Sequence, residues 1–592
     1  MKKFDKCIIY TVVLYLLGML VIQDILSGQI VWKLKGHDFL ASCIVGIALY
    51  LWNFNKRIVS VVVWLISFMS SILLIQFLTH TALPISNIHY MINSSSLLVS
   101  ILISLYNITD SNRLGKNRLN RILFGILVFS FYLIPLSYWG YWLISGQVLQ
   151  ADIVLAICQT NFDEIVGYLK GQSISSLVCL FIAIIFYSIV VCLISKFMPT
   201  TSYARVISKK KVSIGLFIVF YLLNVISFVR ISKNTDIFVM YKSIRQLLDS
   251  YKAYGENKAM REQRLLSLKG LTVNPDHKGV YVLVIGESET REHMGVYGYK
   301  RDTTPWLKKL SENKNTIVFN QAFSNHTHTV QSLTYALSEK NQYNDIPIDS
   351  ANSIIEIAKA AGMKTYWISN QQKYSAWDTP TAEIASTADY QVWVNGSVGE
   401  RSDAMYYDEH LLGQIPDIDT LDNALIVFHV MGSHGAYDDR YPHSYEVFSG
   451  DNSLIDRYDN SILYNDFVLS KLFDDVKRSP NLQAFIVFSD HGEDVETRNS
   501  HESTKYTPVM SKIPLIINFS DNYLSKNQSI VDVLRSHKDS AWTNDLMYNM
   551  MLSIMGIEGA PVVEPNLDFT SLKYDRDIHN LRTLHGKQKL SL

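Results

Sequence analysis

The sequence predicts an α-helical polytopic membrane domain followed by an α/β soluble domain with a central, mostly parallel sheet. Two observations carry this. Long apolar runs crowd residues 1–230, whereas the rest has the composition of an ordinary soluble domain. In that second part, continuous apolar runs alternate with helical patterns, as strands buried on both faces of a parallel sheet do.

In the first part, expected spans run over 7–23, 38–54, 58–78, 121–144, 175–195 and 212–229. A seventh stretch, 92–107, is shorter and rich in serine. The first run is long, lacks a small-residue cleavage site and is followed by further runs, so it reads as a span and not as a cleaved signal. Basic residues gather at Lys2, Lys3 and Lys6, at Lys56 and Arg57, at Arg113, Lys116, Arg118 and Arg121, and at Arg205 and Lys209–Lys211. The positive-inside rule puts all of these on one side only if 92–107 also spans. The N-terminus is then inside and the chain after Val229 outside, with Lys33 and Lys35 on the wrong side. The expected spans hold almost no ionisable residues, which argues against a transporter or membrane sensor.

Between two spans lies LAICQTNFDEIVGYLK (155–170), where Thr160 and Glu164 share a face of an expected loop helix. From spacing alone this is a solvated amphipathic helix. Residues 231–278 are amphipathic and charged, a helical bridge near the membrane surface. They lead into the soluble domain, 279–592.

The chain has 54 basic and 54 acidic residues, so no global charge favours nucleic acid. All five cysteines (Cys7, Cys43, Cys158, Cys179 and Cys192) lie in the first part. The soluble domain therefore has no disulfide framework, no thiolate metal site and no cysteine nucleophile.

Three strand-like runs end in residues of metal or acid–base type. Val280–Ile285 leads to Gly286 and Glu287, Ala424–Phe428 to His429 and His434, and Ala484–Phe488 to Asp490 and His491. A fourth, Lys364–Ser369, precedes Asn370. Ligands of open parallel sheets sit at the carboxyl ends of strands. Each ending alone is usually a turn; three in one domain predict a polar site. Glu287, Asp490 and His491 form an oxygen-and-imidazole set that suits zinc or a similar divalent ion. The segment SNHTHTVQSLTYALS (324–338) puts Thr327–Thr329 at an expected helix start, where a hydroxyl could serve as nucleophile. On spacing alone Thr329 reads as an N-cap rather than a nucleophile.

At this point the residues resemble a family. GESETREHMGVYGYKRDTTP (286–305), YWISNQQ (366–372), HVMGSHGAYDDRYP (429–442), YDNSILYNDFVL (458–469) and FSDHGED (488–494) resemble, in order, the motifs of the membrane phosphoethanolamine transferases of the alkaline phosphatase and sulfatase superfamily. The resemblance implies an alkaline-phosphatase-like, sulfatase-like soluble domain in the periplasm of a bacterial inner-membrane protein. It implies one zinc ion on Glu287, Asp490, His491 and a threonine, with a second ion compatible with bound substrate. Thr329 is the expected nucleophile and Thr327 the alternative. The donor implied is phosphatidylethanolamine, and the acceptor a cell-envelope glycolipid, lipopolysaccharide core or lipid A. His434 and His501 match the family's substrate histidines, although His501 alone reads as a surface residue. Thr160, Glu164 and Asn370 match substrate-side positions.

Two departures stand out. The soluble domain lacks the cysteines of the lipid A branch, so the chain resembles the cysteine-free branch that acts on core sugars. The family usually has five spans, so seven would need an extra N-terminal hairpin. A phosphoglycerol transferase of the lipoteichoic-acid-synthase type, using phosphatidylglycerol, is the nearest rival. The C/S-x-P-x-R motif of a true sulfatase is absent.

Overall fold

The structure is a computed structural model. It describes residues 2–27, 32–51, 69–79, 85–111, 118–159, 174–197, 211–268, 270–371, 380–395, 407–450 and 454–591. The chain divides into two compact units: Met1–Ala151 with Gln172–Arg245, and Asp152–Gly171 with Gln246–Leu592.

The first unit is helical: α1 (Lys2–Ser27), α2 (Gly36–Leu51), α3 (Met69–Leu78), α4 (Ile85–Ser111), α5 (Arg118–Ser145), α6 (Ala151–Gln159, its last eight residues grouped with the second unit), α7 (Ile174–Phe197) and α8 (Lys211–Ser232). All but α6 fall on the expected apolar runs; of 58–78, only the part in α3 is described. The serine-rich stretch is the middle of α4. Its Ser94, Ser95, Ser96 and Ser100 are buried. The hydroxyls of Ser95 and Ser96 donate to the carbonyls of Met91 and Ile92 at 2.9 and 2.8 Å, which satisfies them within their own helix. Asn224 of α8 donates to Ser100 at 2.7 Å.

One expected run opens on an acid, Asp38, which is buried against a histidine that precedes the serine-rich run. His89 of α4 meets Asp38 of α2 at 2.7 Å, and Asn93 donates to the same carboxylate at 2.7 Å. Among the described residues, no helix is long and apolar enough to cross a membrane. Several helices of this unit still expose large apolar side chains: Leu14 is 66%, Phe181 64% and Ile226 60% exposed.

The second unit is built on a seven-stranded sheet. In chain order its strands are β1 (Val280–Gly286), β2 (Thr316–Val318), β3 (Lys364–Ser369), β4 (Tyr390–Trp393), β5 (Ala424–His429), β6 (Leu482–Ser489) and β7 (Leu515–Phe519). The order across the sheet is β2-β7-β6-β1-β5-β3-β4. The strands β6, β1, β5, β3 and β4 run parallel, while β7 and β2 join at one edge antiparallel. The sheet is thus mixed, its expected parallel part intact at the centre.

Every residue of β1 is buried. Val280, Val282 and Val284 enter one core with Ile426, Phe428, Phe485 and Val487. Tyr281, Leu283 and Ile285 enter the other with Leu425, Val427, Ile486 and Phe488. Both side-chain rows are apolar because helices cover both faces. On the second face lie α12 (Thr329–Ala336), α13 (Ile354–Ala360), α16 (Asp521–Ser536) and α17 (Met547–Ile554); on the first lie α11 (Pro305–Ser311) and α15 (Leu454–Val476), with α14 (Pro380–Ser386) packed beside α12 and α13.

Two helices precede the sheet, α9 (Asp236–Glu256) and α10 (Lys258–Leu266). Arg261 of α10 is buried, stacks on Tyr254 at 3.8 Å and donates to Glu356 of α13 at 3.0 Å. Glu356 also closes a capping box with Ser353. The end of the expected bridge is therefore fastened to the domain by a buried cation.

Candidate active site

The parallel register sets the site. Ile285 pairs with His429, Gly286 with Ser489 and Ser369 with His429. Four strands end at one level, and their next residues are Glu287, Asp490, Val430 and Asn370.

Glu287, Asp490 and His491 are all buried, and their candidate ligand atoms lie within 4.8 Å of one another. His491 Nε2 stands 3.3 Å from Glu287 Oε1 and 3.4 Å from Asp490 Oδ2. The Thr329 hydroxyl lies 3.1 Å from Glu287 Oε2 and 3.4 Å from His491 Nε2. Thr329 opens α12; the N-cap position belongs to His328. The side chain of Thr329 is thus free to face the carboxylate instead of capping its helix. The hydroxyl of Thr327 is buried and has no hydrogen-bond partner.

The donor set fits a divalent cation. His491 Nδ1 donates to Gly492 O at 3.0 Å, since a carbonyl can only accept. In the neutral ring Nε2 is then a bare lone pair aimed at two carboxylates. Asp490 Oδ1 accepts from the backbone N–H of Ser288 and His491 at 3.2 and 2.7 Å. Its buried Oδ2 has no hydrogen-bond partner. Two carboxylates, one imidazole and one hydroxyl make a ligand set suited to zinc. Without a cation the arrangement is costly. Burial pushes the Glu287 carboxyl up to about 7, partly countered by the charge of His501 and by hydrogen bonds from the Ser288 and Thr329 hydroxyls. Burial and the charge of Glu287 push Asp490 up to about 7 as well.

The loops at the strand ends are locked to one another. Ser288 takes a left-handed φ of 58°, a strained turn that lets its N–H reach Asp490. Tyr458 of α15 holds that turn, donating to Ser288 O at 2.7 Å and accepting from Thr290 N–H at 3.0 Å. Gly432 has φ of 51°, and a Cβ there would meet Glu287 O at 2.8 Å. Only glycine allows Ser433 N–H to reach Glu287 O, at 2.9 Å. On the nucleophile's side, Ser332 of α12 donates to Asp490 O at 2.7 Å, and Asn544 donates to the same carbonyl at 2.9 Å. Asn544 Oδ1 also accepts from Asn325 N–H at 2.8 Å. No motif in the sequence pointed to Asn544.

His501 is half-buried and not a loose surface residue. Its Nδ1 lies 2.7 Å from Glu493 Oε2, and its ring is 4.6 Å from that of His491. Burial lowers its pKa, but the charge and hydrogen bond of Glu493 outweigh that and raise it to about 9. Glu493, unremarked in the sequence although it sits in the FSDHGED motif, also accepts from Tyr437 and from Ser500. His434 follows β5 in the loop opened by Gly432. Burial, with the charge of Arg440, drops its pKa to about 3.

Asn370 does not join the ligand cluster. It donates to Asp408 at 2.8 Å, and Asp408 accepts the N–H of Met431 and Gly432 at 2.8 and 2.9 Å. It therefore supports the His434 loop through a buried carboxylate. Thr160 and Glu164 lie outside the described residues.

Residues 280–552 match the sequence model of the family described as Sulfatase. The chain is 34% identical over 280 residues to phosphoethanolamine transferase EptC of Escherichia coli K12, covering 44% of this chain and 47% of that protein. It thus spans about half the length of that relative. It is 28% identical to phosphoethanolamine transferase CptA of Salmonella typhimurium, covering 66% of this chain and 71% of CptA. Among solved structures it resembles the integral membrane lipooligosaccharide phosphoethanolamine transferase EptA of Neisseria meningitidis. The TM-score is 0.52 at 16% identity, covering 89% of this chain and 97% of that one. That likeness is one of fold.

Proposed function

Residues 280–552 form a Sulfatase-family domain whose relatives are phosphoethanolamine transferases, and from this premise we propose that the chain transfers phosphoethanolamine from phosphatidylethanolamine to a cell-envelope glycolipid. The observation that carries the reading is the Thr329 hydroxyl, 3.1 Å from Glu287 and 3.4 Å from His491.

Glu287, Asp490, His491 and Thr329 would hold a zinc ion, which would supply the positive charge that lowers the pKa of the hydroxyl. Thr329 Oγ1, its proton released to solvent as the hydroxyl ionises, attacks the phosphorus of the donor. Its new P–O bond forms as the bond to diacylglycerol breaks, leaving phosphoethanolamine on the threonine. His501, kept protonated by Glu493, gives the departing oxygen its proton. An acceptor oxygen on lipopolysaccharide core or lipid A then displaces Thr329, and His501, neutral after the first step, takes its proton and is restored; His434, kept uncharged by burial, lies in the loop after β5 on the substrate side.

The donor is a lipid, which suits a bacterial inner-membrane protein with this domain in the periplasm. The exposed apolar residues of the first unit, such as Phe181 and Ile226, support that location.

The test is release of diacylglycerol from fluorescent phosphatidylethanolamine by the purified full-length chain. Thr329→Ala abolishes it and Thr327→Ala retains it. Full turnover in Thr329→Ala would overturn the assignment.

A further inference from the structure

Residues 553–592 lie beyond the Sulfatase match, yet they return to the helix that carries Thr329. Arg582–Thr583 and Gln588–Lys589 pair as an antiparallel hairpin. Lys587 N–H donates to Leu584 O at 3.3 Å across its turn. In that turn Leu584, His585 and Gly586 take φ of 51°, 52° and 86°. Glycine reaches this region freely; leucine and histidine do not. The local sequence therefore does not account for the turn, and such a conformation persists where the surroundings impose it.

The surroundings act on His585. Its backbone N–H donates to Asn325 O at 3.1 Å. Its Nε2–H donates to Gln331 O at 3.2 Å. Its ring stacks on Tyr335 of α12 at 3.9 Å, with 6° between the planes, and lies 4.8 Å from the ring of His326. Gln342 fastens the hairpin from outside, accepting from Gly586 N–H at 2.8 Å and donating to Arg582 O at 3.0 Å. Asn325 lies in the loop that enters α12, and Gln331 lies in its first turn. One residue thus ties together the two flanks of Thr329.

We propose that His585 is a positioning residue for the Thr329 hydroxyl, and that the C-terminal hairpin completes the active site of this chain. The inference rests on the reading of Thr329 as nucleophile. His585 does not touch the reacting atoms. It restrains segment 325–331, so that the hydroxyl stays against Glu287 and His491 while the phosphorus is attacked.

The full-length chain is compared with two variants. His585→Phe keeps a ring for Tyr335 and loses the N–H to Gln331. His585→Gly suits the backbone of the turn and loses both side-chain contacts. The kcat for diacylglycerol release falls roughly ten- to a hundredfold in both, as expected for a misplaced group. The KM for the donor and the zinc content stay at wild-type values. His585→Gly does so without a lower thermal midpoint, which a merely structural role would not allow. Amide hydrogen exchange quickens at 325–331 and nowhere else. That readout needs no activity, so a wild-type chain that releases no diacylglycerol would sink the transferase reading and leave this inference still open to test by exchange. Unchanged kcat or unchanged exchange at 325–331 in both variants would overturn it. So would a loss of kcat that follows a fall in thermal midpoint.

Discussion

Asp490 turns its Oδ2 toward His491 Nε2 at 3.4 Å while its Oδ1 is held by two backbone N–H groups. One half of the carboxylate is fully used by the protein, and the other half is kept for something else. Asp490→Asn keeps the shape and removes the charge. We expect zinc affinity to fall by roughly ten- to a hundredfold or more, by analogy with the loss of ligand-orienting groups. Isothermal titration of the metal-stripped chain checks this, and undiminished affinity would exclude Asp490 as a ligand.

Zinc binding should also depend on pH. The carboxyls of Glu287 and Asp490 are raised from 4.5 and 3.8 to about 7 without a cation. Their protons must leave when the metal enters, so affinity weakens as pH falls below about 7 and levels off above it. The sign for metal-free stability is opposite. A carboxyl with a raised folded pKa contributes most below its unfolded pKa and loses that contribution as pH rises through the folded one. The gap in thermal midpoint between zinc-loaded and stripped chain therefore widens from pH 5 to pH 8. A gap that narrows over that range would contradict the assignment.

Glu493 holds His501 protonated up to about pH 9. Glu493→Gln removes the opposing charge, so the His501 pKa falls toward that of an ordinary histidine. The basic limb of the pH–rate profile then moves down by one to two pH units, on the order expected for loss of a buried opposite charge. In the wild type, the stability that His501 contributes is complete below its unfolded pKa of 6.5 and disappears as pH rises through about 9. An unmoved basic limb would remove His501 as the proton donor.

The sequence made the sheet legible because β1, β5 and β6 are buried on both faces and read as continuous apolar runs. The residues just beyond them, Glu287, Asp490 and His491, and His434 in the loop after β5, were legible for the same reason, since a parallel register brings strand ends level. The antiparallel strands β2 and β7 were not, because strands of three and five residues carry little pattern. Asn544 and His585 were missed because each acts on backbone carbonyls far away in sequence, a contact that no spacing rule encodes. Asn370 was legible as a strand-end residue, but its partner Asp408 could be found only from the fold.

Gly432→Ala tests the packing of the His434 loop on Glu287. A Cβ 2.8 Å from Glu287 O, at a left-handed φ, must displace one backbone or the other. We expect a loss of about 1–3 kcal/mol in stability, seen in chemical denaturation, together with weaker zinc binding. A variant with wild-type stability and metal affinity would show that this close approach is dispensable.

The most direct measurement is to trap the first half-reaction. The chain is incubated with phosphatidylethanolamine and no acceptor, quenched in acid, digested and sequenced by mass spectrometry. The account predicts phosphoethanolamine on Thr329, absent from the Asp490→Asn variant. The modification on Thr327 or any other side chain, or turnover with no modified residue, would contradict it.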